Sequence, residues 1–268
     1  MKVIYYILAL FLVLIIFVPF FWMFSTAVKP LREAYSIPPT IIPQDFSPEN
    51  FPIAFERAQA LRAFFVTFIY ALGCVILYLG VAAFAGYAFA RYRFFGKNVL
   101  FLMVLATLMI PIEVNLLPLY RLLKTLGWLN SFQGLILPRV VEPFGIFLFR
   151  QHFQTIPNEY VDSARIDGCR EVTIFRRIML PMSIPPVVVV CLFMFLWRWN
   201  ELLYPLVIST SNKMRTLQVV ISLFVRERYV EWNYQMALCV SAIIPILILF
   251  IAIQKYFVQG VVLSGMKG

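Results

Sequence analysis

Long apolar runs separated by short polar segments dominate the chain. Three runs, at 3–27, 64–90 and 237–258, each contain the roughly 20 mostly apolar residues that a helix needs to cross a bilayer. The first run continues past the length of a signal-peptide core without a small-residue cleavage site, so we predict a retained span. These runs predict membrane-spanning helices.

Three further runs, at 99–119, 134–149 and 184–208, are interrupted, and the one at 134–149 is also short. The interrupting residues are prolines and polar or ionisable side chains: Pro111, Glu113, Pro118, Pro138, Arg139, Glu142, Pro143, Arg198, Asn200 and Glu201. We predict an all-α, polytopic membrane protein of about six transmembrane helices in a single domain, 1–268. Whether 134–149 is a full crossing stays open.

The composition agrees with a protein that is largely surrounded by lipid. The 268 residues are 62% hydrophobic and 13% charged, with a mean hydropathy of +0.86, whereas soluble domains are about 45–50% apolar and about a quarter charged. The formal net charge of +10 would suit nucleic acid in a soluble protein, but no run of five Lys or Arg exists. The basic residues are therefore expected to flank spans and contact anionic lipid, with no nucleic-acid partner.

Short basic loops indicate the orientation. The connection 91–98 carries Arg91, Arg93 and Lys97 and no acid, which predicts a cytoplasmic loop. Alternation then places both termini and the segment 150–183 in the cytoplasm. Arg121 and Lys124 in a short outer loop oppose this bias. The outer segment 30–50 is rich in proline, which predicts an extended loop.

The segment 150–183 is polar but ordered. Asn158 is placed to cap a first helix, in which Tyr160, Val161 and Ala164 share a face. Gly168 stands where a left-handed helix terminus is expected. A second helix follows, with one face made by Val172, Phe175 and Met179 and with its end at Pro181.

This segment could rest on lipid headgroups as an amphipathic helix or bind a protein. A headgroup helix has a basic polar face. The first helix instead has three acids, Glu159, Asp162 and Asp167, against Arg165. The acidic face favours a protein partner.

Two motifs in this segment resemble a known family. Asp162-Ser163-Ala164-x-x-x-Gly168 and Ile178-x-Leu180-Pro181 are similar to the EAA loop of ATP-binding-cassette (ABC) importer permeases. Asp and Ser replace Glu and Ala at the first two positions, which keeps an acid and a small residue. The stretches VDSARIDG at 161–168 and WNELLYPL at 199–206 resemble the carbohydrate branch, of the maltose-transporter second-permease type. So do Lys29-Pro30, Asn50-Phe51 and the ending 264–268, while 110–114, 126–128 and 149–151 are similar to glycerol-3-phosphate permeases.

The resemblance implies a type I ABC importer permease in a bacterial or archaeal cell membrane, working by alternating access. It implies two cytoplasmic ATP-binding subunits, a second homologous permease and an extracytoplasmic solute-binding protein as partners. Its ATPase-coupling residues would be Glu159, Asp162, Ser163, Ala164, Asp167, Gly168, Ile178, Leu180 and Pro181. Lys267, near the C-terminus, would either reach between the ATPases or belong to a solvated end.

ATP chemistry is expected in another chain, because no G-x-x-x-x-G-K-[ST] loop occurs here. We predict no enzyme activity and no cofactor for this chain, with ATP and Mg²⁺ used by the partner ATPase. Its four cysteines form no C-x-x-C pattern and His152 is its single histidine, so neither a disulfide nor a metal site is expected.

Polar residues inside the spans are the candidates for a solute path, since ionisable groups at membrane depth usually face a cavity or another protein group. The candidates are Trp197, Arg198, Trp199, Asn200, Glu201 and Glu113. Aromatic faces with polar groups suit a sugar, but Arg198 and Glu201 could equally form a structural pair with the tryptophans at the interface. Glu113 is predicted to lie in a short helix broken on both sides, at Pro111 and Pro118. It could line a path or reach water at a kink, and Glu142 has the same two readings. The sequence leaves oligosaccharide, monosaccharide, polyol and glycerol phosphate open as solutes.

Overall fold

The computed structural model describes residues 2–227 and 231–265, and every regular element in them is helical. In chain order the α-helices are α1 Lys2–Ala27, α2 Leu31–Ala34, α3 Asn50–Arg57, α4 Ala60–Arg91, α5 Lys97–Ala106, α6 Ile112–Thr125, α7 Phe132–Ile136, α8 Pro143–Thr155, α9 Glu159–Ile166, α10 Glu171–Ile174, α11 Ile184–Trp199, α12 Leu203–Ile208, α13 Leu217–Glu227 and α14 Trp232–Gly265. Short 3₁₀ turns occupy Thr107–Met109, Leu137–Arg139 and Pro181–Ser183, and a π-turn occupies Phe175–Met179. The predicted all-α class is confirmed.

Within residues 2–227 and 231–265, four stretches are long and apolar enough to cross a membrane: Ile4–Ala27, Ala60–Arg91, Pro181–Trp199 and Trp232–Gln254. Two bent pairs of helices pass the same test when each pair is taken together, which brings the total to as many as six. Helix α1 is apolar on all sides, and its side chains are largely exposed. Such a helix requires lipid or another apolar partner as its surroundings.

The third predicted span is sharply broken. Its two parts, Lys97–Met109 and Ile112–Thr125, meet at 97°. The cause is Pro111, because a residue before proline avoids the helical region and Ile110 is extended, at φ −92° and ψ 109°. Helix α6 continues through Pro118. The prediction of a short helix broken on both sides of Glu113 is therefore wrong at the Pro118 side.

The fourth and fifth predicted spans are also interrupted. The parts Phe132–Arg139 and Pro143–Thr155 meet at 45°, with Glu142 extended before Pro143. The second part ends at Thr155 and not at residue 149, so the polar segment begins later than predicted. The fifth helix ends at Trp199, and residues 200–202 separate it from α12. The run 184–208, which the sequence showed to be interrupted, is therefore broken at Asn200 and Glu201.

Two helices between the spans, α3 and α13, were not predicted, and α2 forms one helical turn in the proline-rich segment predicted to be extended. Asn50, at the start of α3, is buried and donates from Nδ2 to the carbonyl oxygens of Ala27, at 2.9 Å, and Lys29, at 2.7 Å. Its Oδ1 accepts from Asn233 Nδ2 at 3.0 Å. This one side chain joins the end of α1 to the starts of α3 and α14.

The contacts divide the chain into two compact units, Met1–Phe65 with Thr216–Ile248 and Val66–Arg215 with Leu249–Gly268. All of the candidate functional residues described below lie in the second unit. Its core contains buried residues of α4, α8, α11 and the 159–181 segment, and α4 packs closely on α8. A Cβ atom at Gly86 of α4 would lie 2.5 Å from the Cβ of Phe149, and one at Gly145 of α8 would lie 2.5 Å from the hydroxyl of Tyr78. These glycines let the two helices approach closely, as small residues do between membrane helices.

Candidate functional site

Gly168, two residues after the last residue of α9, has the predicted left-handed conformation, with φ +78°. The N–H of Gly168 donates to the carbonyl of Arg165 at 3.0 Å, and the N–H of Cys169 donates to that of Ala164 at 2.9 Å. This pair of bonds is a Schellman motif, which satisfies carbonyls that the last turn leaves unpaired. A Cβ at position 168 would meet no atom within 4 Å. The constraint on Gly168 within this chain is therefore its backbone angle and not lack of space.

Asn158 lies directly before α9 but does not cap it with its side chain. Its backbone is helical, at φ −68° and ψ −25°, and no N–H bonds to its side chain. Instead its Oδ1 accepts a hydrogen bond from Nη1 of Arg91. The predicted position of the helix start is thus right, whereas the predicted capping role of the side chain is wrong.

One face of α9 packs on the chain's own interior and the other is exposed. Val161 and Ala164 are buried in the core together with Phe153 and Phe175. Tyr160 is exposed, so the prediction that all three residues share one face is wrong for Tyr160. The exposed residues of the helix and its terminus are mostly polar: Glu159, Tyr160, Asp162, Ser163, Arg165, Ile166, Asp167 and Gly168.

The second half of the segment is α10 followed by a π-turn that ends at Met179. Leu180 is a turn residue and the next candidate span begins at Pro181, so the second helix ends there as predicted. Phe175 and Met179 are buried as expected, but Val172 is exposed. In α10 the buried position is taken by Ile174, so that Val172 lies on the outer side. Ile178 and Leu180 pack half-buried against the core, and Pro181 is exposed.

Arg91, the last residue of α4, contacts the connection between α8 and α9. Its Nη2 donates to the carbonyl oxygens of Phe153, at 2.7 Å, and Ile156, at 2.5 Å, while its Nη1 donates to Asn158. The last carbonyls of a helix lack partners within the helix. The guanidinium group therefore ties the end of α8 and the residue before α9 to the end of α4.

Glu171 makes the corresponding contacts at the other end of α9. Its Oε1 accepts from Nε of Arg165 at 2.8 Å, and its Oε2 accepts from the hydroxyls of Tyr92, at 2.9 Å, and Tyr87, at 3.4 Å. The hydrogen bond from Arg165 lowers the pKa of Glu171 below its ordinary value, against the opposing effect of partial burial. The same hydrogen bond raises the pKa of Arg165. The carboxylate is thus held ionised between three donors.

Four charged side chains meet at the breaks in the fourth and fifth spans, and we name them the charged quartet: Arg139, Glu142, Arg198 and Glu201. Arg198 is 2% exposed and donates to Glu201 and Glu142, each at 2.6 Å. Arg139 lies 2.8 Å from Glu201 and 3.6 Å from Glu142. Two cations and two anions balance each other. The hydroxyl of Tyr70, on α4, also donates to Glu201.

A pocket of about 510 Å³ opens beside the charged quartet. It is lined by the four quartet residues and by Phe193, Leu196, Trp197 and Asn200. Trp197 is 41% exposed, whereas Trp199 is buried and does not line the pocket. Arg198 and Glu201 therefore form the ion pair of the structural reading, and Trp197, Asn200 and Glu201 also line the pocket. That the pocket is part of a solute path stays a prediction.

Residues 79–263 match the family described as binding-protein-dependent transport system inner membrane component. This chain belongs to that family of ABC importer permeases. The match includes the 159–181 segment, the charged quartet and residues 79–91 of α4.

Curated relatives of the permease include arabinooligosaccharide transport system permease proteins. AraQ of Halalkalibacterium halodurans is 38% identical over 84% of this chain and 81% of its own length, and AraQ of Bacillus subtilis is 34% identical over 93% and 90%. The sn-glycerol-3-phosphate transport system permease protein UgpE of Brucella abortus is 29% identical over 93% and 92%. A crystal structure of a bacterial ABC transporter involved in the import of the acidic polysaccharide alginate contains a chain with the same fold, at a TM-score of 0.85 and 20% identity over 96% of both chains.

The remaining predicted residues of the permease lie apart from these sites. Glu113 is exposed in the first turn of α6 and does not line the pocket. Lys267 lies outside the described residues. His152 Nε2 lies 3.1 Å from the carbonyl oxygen of Met182. Within residues 2–227 and 231–265, no group of three His, Cys, Asp or Glu side chains could hold a metal ion.

Four residues of these sites were not predicted: Arg91 and Glu171 beside α9, and Arg139 and Tyr70 at the quartet. For Arg139 a signal existed, because Arg139 and Glu142 lie three apart in an apolar run, as Arg198 and Glu201 do. Two such pairs in one membrane protein suggest mutual compensation. Tyr70 gives no signal, since a tyrosine in an apolar helix is ordinary.

Proposed function

We propose that this permease is the membrane subunit of an ATP-driven importer for a carbohydrate-type solute and that the 159–181 segment couples it to a separate ATPase. The observation that carries the proposal is the exposed surface of α9, where Glu159 and Asp162 lie in the first turn and Asp167 directly precedes the left-handed Gly168. The helix packs its apolar side inward and presents this acidic side outward, as a docking element for a protein does.

The proposed assembly follows from membership of the family. It comprises two cytoplasmic ATP-binding subunits, a second homologous permease and an extracytoplasmic solute-binding protein. ATP and Mg²⁺ would be used by the ATP-binding subunits, with no cofactor in this chain. Both termini of the permease would be cytoplasmic, since the basic loop after α4 favours that side. The bundle would alternate between inward and outward openings as the ATPases close and separate.

The pocket beside the charged quartet is the proposed part of the solute path. An aromatic side chain, Trp197, stands beside the polar groups of Asn200 and Glu201, a combination suited to a sugar face and its hydroxyls. Arg139 and Arg198 are the cations among the described residues that line the pocket, and both already contact carboxylates, so neither is unpaired for a phosphate. This favours a neutral carbohydrate, as for the arabinooligosaccharide relatives, over glycerol 3-phosphate, the solute of the other relatives.

The coupling role is tested by Gly168→Leu in the reconstituted importer. Gly127 is a matched control, because its φ is +69° and a Cβ there would also meet no atom within 4 Å. The same substitution at both sites imposes similar backbone strain. Gly168→Leu should abolish ATP-driven uptake while the protein still inserts, and Gly127→Leu should retain uptake. Equal uptake by both variants would refute the coupling role of the segment.

The solute is tested in the same system. Each candidate binding protein is added with labelled arabino-oligosaccharide or labelled glycerol 3-phosphate, and the stimulation of ATP hydrolysis is measured. Stimulation by the neutral sugar is expected. Stimulation only by glycerol 3-phosphate would contradict the neutral-solute proposal and leave the coupling role intact.

A further inference from the structure

Helix α4 contacts both functional parts of the second unit. Near one end, the hydroxyl of Tyr70 bonds to Glu201 of the charged quartet. Further along, the hydroxyl of Tyr78 donates to the carbonyl of Glu142 at 2.8 Å and accepts from the N–H of Gly145 at 2.6 Å. At the other end lie Tyr87 and Arg91, beside α9. Residues 70 and 91 are separated by roughly 30 Å along a straight helix.

The contacts at the α9 end are arranged as a clamp, which we define as Arg91, Arg165, Glu171 and Tyr92. Arg91 holds the residue before α9, and Glu171 holds Arg165 of its last turn. Each anchor bonds to α4 or to the residue directly after it. Both ends of α9 are thus fastened to the same helix, so that α9 cannot rotate or slide on α4 without breaking a charge-assisted hydrogen bond.

The close packing of α4 on α8 supports the same connection. A Cβ at Gly86 would meet the Cβ of Phe149 at 2.5 Å and the backbone N of Arg150 at 3.0 Å. Helix α8 leads directly into α9. The helices α4, α8 and α9 are therefore joined by backbone contact as well as by the clamp.

We propose that Arg91 and Glu171 are positioning residues that fasten the coupling helix to α4, so that a displacement of α9 moves α4 and its contacts with the charged quartet. The proposal rests on the proposed function, because the displacement is supplied by the partner ATPase. It assigns α4 as the helix that connects the docking surface to the solute pocket. The exposed acids of α9 would then bind the ATPase, while the clamp transmits the motion.

The experiment measures solute molecules transported per ATP hydrolysed by the complete importer in proteoliposomes. Arg91→Met removes three hydrogen bonds, and Arg93→Met, an exposed arginine of the same loop, is its matched control. The Arg91→Met permease should still assemble with the ATPase and hydrolyse ATP. Its transport per ATP should fall on the order of tenfold, because the loss of one charge-assisted hydrogen bond changes an equilibrium constant by about that factor. Arg93→Met should transport as the wild type does.

A second set of variants tests the contacts of Glu171 and controls for loss of transport through misfolding. Glu171→Arg should lower transport per ATP, and the charge exchange Arg165→Glu with Glu171→Arg should restore most of it, because the ion pair is re-formed. Tyr92→Phe removes one hydroxyl from an exposed side chain and should give a smaller reduction with normal assembly.

Wild-type transport per ATP in Arg91→Met and Glu171→Arg would overturn the proposal. So would loss of ATPase binding in these variants in parallel with transport, since the residues would then serve docking only. Failure of the charge exchange to restore transport would overturn the Glu171 anchor. If the wild-type complex itself showed no ATP-driven uptake of any solute, the proposed function would fail, which is a separate result.

Discussion

The contact between α4 and α8 gives a direct test through two glycines of the same helix. A Cβ at Gly86 would lie 2.5 Å from the Cβ of Phe149, 3.0 Å from the N of Arg150 and 3.2 Å from the carbonyl oxygen of Ile146. Two of these three atoms belong to the backbone of α8. Backbone atoms cannot rotate away from an added methyl group as a side chain can. At Gly80 of the same helix, a Cβ would meet no atom within 4 Å.

The magnitudes follow from these distances. Replacement of a helical glycine by alanine stabilises a helix by about 0.5–1 kcal/mol, and both variants gain this amount. Overpacking a closely packed site costs about 1–3 kcal/mol, and only Gly86→Ala incurs it. Gly80→Ala should therefore be about as stable as the wild type or slightly more so. The free energies of unfolding of the two variants should differ by about 1–3 kcal/mol.

The measurement is thermal unfolding of the purified permease complex in detergent, followed by tryptophan fluorescence. In a soluble domain of similar size, 1 kcal/mol corresponds to about 2–4 °C, so the midpoints of the two variants should differ by roughly 2–12 °C. Equal midpoints for Gly80→Ala and Gly86→Ala would show that α8 yields to the added methyl group. The close approach of α4 and α8 would then not be a fixed feature of the fold.

Two further results are expected. Glu142→Leu leaves buried Arg198 without one of its two carboxylates and should lower the free energy of unfolding by about 3 kcal/mol. The double variant Glu142→Leu with Arg198→Met should lose less stability than the sum of the two single variants. Thermal unfolding of the three variants measures these differences. The lowered pKa of Glu171 means that its bond to Arg165 is fully present above the ordinary carboxyl range and is lost only as the pH falls through the lowered value. The difference in transport per ATP between the wild type and Glu171→Gln should therefore be constant through neutral pH, and a difference that disappears near neutrality would contradict it.

The sequence predicted those features that depend on local chemistry. The apolar runs identified the long helices, because a helix that crosses a bilayer needs about 20 apolar residues independently of its tertiary contacts. Gly168 was correctly predicted to be left-handed. It lies between the end of one amphipathic helix and the start of the next, where a left-handed residue is common, and glycine adopts that conformation readily because it lacks a Cβ. The family motifs were recognised from the same segment.

The features that the sequence did not predict depend on contacts between distant residues. Which side of α9 faces inward is decided by Phe153 and Phe175, whose positions follow from the packing of α8 and of the π-turn. The clamp requires the end of α4 to meet a segment that is far away in the chain, as the bond between Arg91 and Asn158 does. Amphipathic α13 lies between two predicted spans, in a segment where the sequence analysis placed no helix.

The charged quartet has a consequence for how the protein enters the membrane. Arg139 and Glu142 are three residues apart, as are Arg198 and Glu201, and each pair is within ion-pair distance. An isolated arginine at the centre of an inserting segment costs about 2.5–3.5 kcal/mol. Each arginine here has a counter-ion three residues away in its own segment, which would lower that cost before the two segments meet. The cross-pairs Arg139–Glu201 and Arg198–Glu142 can then be added when the segments pack together.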